Sequence, residues 1–577
     1  MPMVAMGTRT RIRQRSGAAV VEALRAEGVE HIFGLVGSHV LEIYDALADT
    51  PSIRHVTVKH ETTASGMADA YGRLTGRPGV ALVTAGPGAT NSITGVAQAY
   101  MAASPMVHIS GAVPLNAPYE SFHGVDAHDF LVRMFAEVTK WSVAVERPED
   151  IPGVLARAFA VATSGRPGPV HVELPQDVLL AEATEMEPYE RQEIPPTPLD
   201  ERNLHELTQQ IRASRRPLIW AGKGVRSTLA EAELIELAEL LQAPVILSGD
   251  ATGSFSDTHP LSTGQLSLYE RAPFQRELAQ EADLIIVIGE RGVTGHADGL
   301  FDTVGDTPVT GVWLGNDGEA IDPRAIGGAR ADIRTGLNQL IEACGDQQRP
   351  QDDALRARIA QERDGLRAHI MEGVRREYGD QSPMHYGMAL DALPDFVDAG
   401  TICLGDIGSH NQWTRLLVQA TGRNTFVPEG YWGAMGFGLP AAMAAKVAYP
   451  DKRVLSVTGD GCFLMASADF STAVEYGLNP VIVILNDRQY GMIVGMQEDY
   501  YGRKSETELN GPDFVAFSRS FGGDGARVDH PSQMRAALEA GFASDRIFVI
   551  DAACDYRFPP YDFAKATEEF RREMSSD

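Results

Sequence analysis

The stretch Val454-Leu455-Ser456-Val457-Thr458-Gly459-Asp460-Gly461-Cys462-Phe463 decides the fold, read together with Pro480-Val481-Ile482-Val483-Ile484-Leu485-Asn486-Asp487-Arg488-Gln489-Tyr490-Gly491 downstream. The apolar run 454–457 suits a buried parallel strand, and the glycines at 459 and 461 break it sharply. Residues 463–476 fit one helix and 481–485 a second buried strand. The order is therefore strand, glycine turn, helix, strand, acidic turn. Both turns then lie at the carboxyl ends of neighbouring strands, where ligands bind in open α/β sheets. Asp460 and Asp487 would face each other there, beside free amides at a helix start. Hard oxygen ligands next to an anion site describe a magnesium–phosphate pocket. Taken alone, Gly-Asp-Gly also suits a plain tight turn with a solvated aspartate.

Outward from this unit, helical and strand patterns alternate along the chain. Strand-like runs at 31–35, 56–59, 80–84, 106–110 and 170–174 alternate with helical patterns at 18–27, 40–47, 62–74 and 90–101. A second set of strands is expected at 217–220, 244–247, 284–288 and 309–314. The fold class is α/β, with three doubly wound parallel-sheet domains. Expected boundaries are a flexible arm at 1–16, a first domain at 17–185, a linker at 186–199 and a central domain at 200–350. A helical linker at 351–379 then leads into a third domain at 380–577, which ends in a C-terminal tail. Residues Pro195, Pro196 and Pro198 mark the first linker as extended. The first and third domains read as two versions of one architecture.

Composition sets outer limits. The chain has 577 residues, 44% of them apolar, and a net charge of −28. That length implies several domains, and that charge repels nucleic acid and anionic lipid, so neither is an expected partner. An anionic cofactor is still compatible, because amide pockets and a metal ion act locally. Cys344, Cys403, Cys462 and Cys554 are widely spaced without a Cys-x-x-Cys pair, which fits a reducing, cytoplasmic setting. No apolar run approaches the ~20 residues of a membrane span. The N-terminal Arg9, Arg11, Arg13 and Arg15 precede no hydrophobic signal core, so a frayed arm is expected.

A second constellation is Val58-Lys59-His60-Glu61-Thr62, followed by the small residues Gly66, Ala68 and Ala70. Glu61 falls where a strand ends and an apolar helix begins, so its carboxylate should be poorly solvated. It could hold a proton against a heteroaromatic nitrogen, or simply serve the helix dipole.

In these and further residues the chain resembles thiamine-diphosphate-dependent enzymes of the acetohydroxyacid synthase and 2-keto acid decarboxylase superfamily. The resemblance covers about 17–555. It rests on Phe33-Gly34 with Gly37-Ser38-His39, His60-Glu61, Leu82-Val83-Thr84-Ala85-Gly86-Pro87-Gly88-Ala89-Thr90-Asn91, Gly165-Arg166-Pro167-Gly168-Pro169-Val170, Gly433-Ala434-Met435-Gly436-Phe437-Gly438-Leu439-Pro440 and the opening stretch. It implies thiamine diphosphate and Mg²⁺ as cofactors. Glu61 would bond N1′ of the aminopyrimidine and promote the tautomer that deprotonates the thiazolium C2. Met435 would lie under the thiazolium and force the cofactor to bend. Asp460 and Asp487, with the backbone oxygen of Gln489, would hold Mg²⁺. Many relatives have asparagine where Asp487 stands. Gly408, Ser409 and His410 would hold the diphosphate, with amides from Gly461 and Cys462, and Cys462 is then a small turn residue. Pro87, Asn91, Gly433 and Met492 complete the expected cofactor contacts. The resemblance also implies a homodimer or homotetramer with each active site between subunits.

The substrate is less legible. His39 resembles the active-site histidine of benzaldehyde lyase and could shuttle protons, or pack locally at a helix start. His123 and His128 lie in a loop where relatives place a substrate-facing glutamine; either could replace that contact, or both could be solvated. Met496 stands where anabolic acetolactate synthases have tryptophan. Ala221-Gly222-Lys223-Gly224-Val225 lacks the full Gly-x-Gly-x-x-Gly. It leaves room for FAD or another nucleotide in the central domain without favouring either. Arg324, Arg330 and Arg334 are spread out, with Asp322 and Asp332 among them, and form no clear basic cluster for a CoA tail. The leading expectation is decarboxylation of a small 2-keto acid, with ligation of the acyl unit to a carbonyl acceptor. The alternative is a 2-hydroxyacyl-CoA lyase or benzaldehyde-lyase-type enzyme that makes or breaks a C–C bond without decarboxylation.

Overall fold

The computed structural model describes residues 16–117, 121–182, 186–265, 273–290, 307–314 and 325–555, with Arg572 and Met574. The arginines of the N-terminal arm, Arg324 and most of the C-terminal tail lie outside the described residues. Three sheets, each of six parallel strands, organise the chain. The first runs, in spatial order, Arg54–Thr57, His31–Gly34, Gly79–Val83, Met106–Ala112, Pro169–Pro175, Trp141–Ala144. The third runs Phe426–Val427, Thr401–Gly405, Arg453–Gly459, Val481–Asn486, Phe548–Ala553, Asp524–Val528. Numbered by chain order within each sheet, both are 2-1-3-4-6-5, so the first and third domains do share one architecture. Their inner strands are Val-, Ile- and Leu-rich and buried on both faces, as helix-covered parallel sheets require.

The central sheet is different. Its strands run Ala329–Ala331, Val309–Leu314, Leu284–Ile288, Pro217–Ala221, Val245–Leu247, Ser262–Gln265, the mirror-read 3-2-1-4-5-6 order of dinucleotide folds. At its switch point, Gly222 and Gly224 let two strand-end turns touch. A Cβ on Gly222 would lie 2.5 Å from Glu290 Cα, and one on Gly224 would lie 2.6 Å from Gly289 Cα. These glycines therefore serve a close backbone approach.

Several local expectations shift. The helix expected at 463–476 is three pieces: Asp460–Ala466, a 3₁₀ turn Ser467–Asp469, and Phe470–Glu475. The break has a cause, because the buried Asp469 carboxylate turns aside to accept the Lys59 amide at 2.6 Å and the Thr472 hydroxyl at 3.1 Å. The helix expected from 90 starts at Pro87, whose missing N–H is harmless in a first turn. Strands missed in the first and central domains, Trp141–Ala144, Ser262–Gln265 and Ala329–Ala331, all lie at sheet edges. Edge strands lack the continuous apolar run that marks a buried one. Among the described residues, no helix is long and apolar enough to cross a membrane.

One continuous apolar core joins the first and third domains, with Phe33, Val58, Met67 and Ala70 packed against Leu404, Leu439, Ala442 and Phe463. The small-residue helix Glu61–Thr75 lies on Gly438–Ala448, with Gly66 facing Pro440. Arg73, in the last turn, is paired with the fully buried Asp69 and donates to the carbonyls of Pro428 and Glu429, both at 2.9 Å. Glu429 itself is buried against the Asn411 amide, and burial pushes its carboxyl up to about 8.

Glu429 therefore makes a pH-dependent contribution with a definite sign. Its folded pKa lies above the unfolded carboxyl value, so its contribution is complete below about 4.3 and is lost as pH rises toward 8. The slope is about 1.4 kcal/mol per pH unit at most. Glu429→Gln copies the protonated form and should flatten this slope. Melting temperatures of variant and native chain should diverge in the variant's favour between pH 5 and pH 8. Parallel curves would show that Glu429 is ionised in the folded chain.

Candidate active site

The switch point of the third sheet lies between Thr401–Gly405 and Arg453–Gly459. Asp406, the first residue beyond the former, is fully buried. Its Oδ1 accepts the Ile407 amide at 2.9 Å and the Gly436 amide at 3.2 Å. Its Oδ2 accepts the Gly438 amide at 2.8 Å and the Thr458 hydroxyl at 3.2 Å. One carboxylate thus ties together the 406–410, 433–438 and 458–462 loops. Gly408 has φ +140°, and a Cβ there would meet the His410 ring at 2.7 Å, so only glycine fits. Gly433 has φ +71° with open space where a side chain would be.

Two helices begin at this cradle, Ser409–Leu417 and Asp460–Ala466. Their N-caps, Gly408 and Gly459, provide no side-chain cap, so first-turn amides are left for an anion. His410 is buried beside Gly459, burial holds its imidazole neutral at about 4, and its Nε2 has no partner among the described residues. A buried ring nitrogen without a partner at two open helix starts can donate to a diphosphate in its Nε2–H tautomer. Cys462 Sγ donates to the Ile407 carbonyl at 3.1 Å, and burial pushes the thiol well up, which suits a turn residue.

The two acidic turns meet. Asp460 Oδ1 accepts the Gly461 amide at 2.8 Å, and Oδ2 accepts the Arg488 amide at 2.9 Å across the turn. Arg488 takes φ +58° to present that amide. Asp487 accepts the Gln489 amide at 3.1 Å and the Tyr386 hydroxyl at 2.5 Å. Burial raises Asp460 to about 6; burial and then the Asp460 charge raise Asp487 to about 7. Adjacent desolvated carboxylates of like charge are stabilised by a divalent cation. No cluster of three or more His, Cys, Asp or Glu among the described residues could hold a metal unaided. The donor set suits Mg²⁺, which keeps waters and phosphate oxygens in its octahedron. The Gln489 carbonyl accepts the Gly491 amide at 3.0 Å and has a second lone pair for a metal. Met435 and Met492 are half-buried, on the glycine loop and the helix Gly491–Tyr501 respectively.

The first domain gathers a different set. Glu61 opens its helix, is 7% exposed, and accepts the Asn91 amide at 3.0 Å. Gly88 holds the next helix close: a Cβ there would stand 3.4 Å from Glu61 Oε1 and 2.8 Å from the Thr84 methyl. At this domain's switch point, His39 and His123 stack with ring centroids 5.1 Å apart, and the exposed Phe122 stacks on His123 at 3.9 Å. His123 has φ +70° and its backbone packs on Gly86, just before Pro87. Ser38 Oγ lies 3.1 Å from His39 Nδ1, and burial, then His123, lowers the His39 pKa. Pro87 and Asn91 expose themselves along the start of the same helix. His128 is exposed.

Sequence reasoning missed Asp406, Tyr386 and Thr84 as site residues. Asp406 occupies a strand-end position like that of Asp460, which was a usable signal. Tyr386 lies 101 residues from Asp487 and carries no such mark.

Three family models match the chain in order: the thiamine pyrophosphate enzyme N-terminal TPP-binding domain at 14–130, the central domain at 204–307 and the C-terminal TPP-binding domain at 406–552. The chain is 33% identical over 565 residues to a probable acetolactate synthase large subunit of Methanocaldococcus jannaschii, covering 94% of this chain and 92% of that protein. It is 32% identical over 567 residues to the acetolactate synthase isozyme 3 large subunit of Escherichia coli, covering 94% and 95%. It is also 34% identical over 557 residues to the acetolactate synthase large subunit of Parasynechococcus marenigrum, covering 92% and 86%. By these matches the chain belongs to the thiamine pyrophosphate enzyme family and is an acetolactate-synthase-like, thiamine-diphosphate-dependent enzyme.

Proposed function

We propose that this chain decarboxylates a small 2-keto acid such as pyruvate and ligates the acyl unit to a carbonyl acceptor. What supports the reading is that a chain similar over its length to acetolactate synthase large subunits has paired acidic turns beside open amides in one domain and the buried Glu61 in another. Thiamine diphosphate, when bound, supplies the electron sink for this chemistry. The chain's own residues bind, orient and protonate. Asp460, Asp487 and the Gln489 carbonyl hold Mg²⁺; Gly408, Ser409, His410 and the amides of Gly461 and Cys462 hold the diphosphate. Gly433, Met435, Met492, Pro87 and Asn91 shape the cofactor's ring pocket. Glu61, kept in place by Asn91, holds the proton at the aminopyrimidine N1′. His39 and His123 move protons at the substrate carbonyl.

The active form in this reading is a dimer or tetramer with sites shared between subunits. Exposed apolar groups rim both half-sites: Val36, Leu41 and Phe122 in the first domain, Trp432, Met465 and Ile493 in the third. Such patches mark interaction surfaces. The second reading is carbon–carbon cleavage or formation without decarboxylation, on 2-hydroxyacyl-CoA or benzoin-like substrates. The stacked His39–His123 pair favours it, since it offers proton transfer with no keto-acid requirement.

Incubation with pyruvate, thiamine diphosphate and Mg²⁺ separates the two. Release of CO₂ with formation of acetolactate is expected; no turnover, with activity on benzoin or a 2-hydroxyacyl-CoA, would select the second reading. Glu61→Gln should nearly abolish exchange of the cofactor C2 proton, followed by NMR, while cofactor affinity stays within a few-fold. Unchanged exchange would remove Glu61 from the mechanism. Asp406→Asn replaces an acceptor-only carboxylate with a group that can donate as well. Losing charge-assisted bonds worth about 1.5–3 kcal/mol should weaken thiamine diphosphate binding roughly 10- to 100-fold by titration calorimetry. Native affinity with native circular dichroism would show that the three loops hold without it.

A further inference from the structure

Away from the cofactor site, the three domains meet around a crevice of about 30 Å³. Its walls include Arg73 of the first domain, Lys223, Arg226 and Asp250 of the central domain, and Arg423 of the third. Arg226 is 8% exposed. Its Nη1 donates to the carbonyls of Thr252, at 3.1 Å, and Arg423; Arg423 Nη1 returns a bond to the Arg226 carbonyl. Two guanidinium groups are thus locked together through each other's backbone.

The charges do not balance. Arg73 is matched by Asp69, Lys223 by Asp250 at 3.8 Å, and Arg423 by Glu231 at 2.8 Å. No carboxylate among the described residues is within ion-pair distance of Arg226. Its Nη2 is buried with no hydrogen-bond acceptor among the described residues, and so is Nε of Arg423. Glu231 and Asp250 favour its charge only from beyond ion-pair distance, and a buried charge without a direct partner is unfavourable. Burial and the neighbouring Arg423 lower the Arg226 pKa only to about 9, so it stays charged at neutral pH. The crevice exceeds the ~10–15 Å³ that a water needs, and it has room for one small ion.

We propose that this three-domain crevice binds a small inorganic anion of halide size, with Arg226 Nη2 as its principal donor. The anion neutralises the unmatched guanidinium and ties the central domain to the other two. Asp250 also lines the crevice, with its Oδ2 buried and accepting no hydrogen bond among the described residues, so its charge sets an upper limit on what the site accepts and favours a monovalent ion. The site is independent of the reaction, although Arg73 stands in the last turn of the helix that begins with Glu61.

The test uses the full chain at constant ionic strength, with bromide replacing gluconate, which is too large to enter. A saturable rise of a few degrees in melting temperature is expected for the native chain and should vanish in Arg226→Gln. An equal rise in both proteins, or none in the native chain, overturns the proposal. Should the variant fail to fold, anomalous diffraction from bromide-soaked native crystals decides. A peak within hydrogen-bonding distance of Arg226 Nη2 supports the site, and ordered water there in its place overturns it.

Discussion

Asp406 is the constraint on which the cofactor half-site depends. A fully buried carboxylate with no paired cation is unfavourable, and here three amides and a hydroxyl offset that cost. Burial pushes its pKa up while the amides pull it down. The geometric consequence matters more than the charge. The amides come from loops that leave different strands, and those loops contain Gly408, Gly433 and Gly436, all at positive φ. Glycine loops have the most conformational freedom to lose on ordering. A shared acceptor removes that freedom at one point and leaves the remaining amides free for an anion such as the proposed diphosphate.

The same logic of place recurs in each sheet. In parallel α/β sheets, the strands on either side of the order reversal send their loops apart and open a crevice. The third domain puts Asp406 and Asp460 there, the first puts His39 and Pro87, and the central domain puts Gly222 and Gly289. Two of the three crevices are furnished with polar chemistry. The third is closed by glycine backbone against glycine backbone.

This explains what was legible in the sequence. Glycine turns after apolar runs announce strand ends, so Gly459 to Gly461 marked a crevice and Gly86-Pro87-Gly88 a strand end from the sequence alone, whereas Gly37-Ser38-His39 stood out only through the family resemblance. Most buried strands were legible for the same reason, but the buried Thr401–Gly405 and Phe548–Ala553 were missed, as were edge strands such as Trp141–Ala144. What could not be read was anything decided by contacts between distant segments. Tyr386 reaches Asp487, and Asp469 abandons its helix to bond the Lys59 amide. The central sheet's strand order was equally hidden, because periodicity identifies strands without saying which lie side by side.

Duplicated architecture with divided chemistry follows from these placements. The first and third sheets share the order 2-1-3-4-6-5, yet one crevice holds imidazoles near Glu61 and the other holds carboxylates with open amides. Neither set is sufficient for a cofactor with an anionic end and a heteroaromatic end. Within one chain the two domains are fused by a continuous core, with Lys59 bonded to Asp469 and Thr57 to the Tyr476 hydroxyl. Those bonds fix the body of the first domain against the third, while the Glu61 carboxylate turns to Asn91 in its own domain. A rigid junction of this kind cannot close one crevice onto the other by hinge motion, because a packed core resists shear. In the proposed assembly, complementarity is therefore met by a second copy, whose first-domain crevice faces this chain's diphosphate cradle. The exposed aromatic and aliphatic rims of the two half-sites are then the surfaces that exclude water from the reaction.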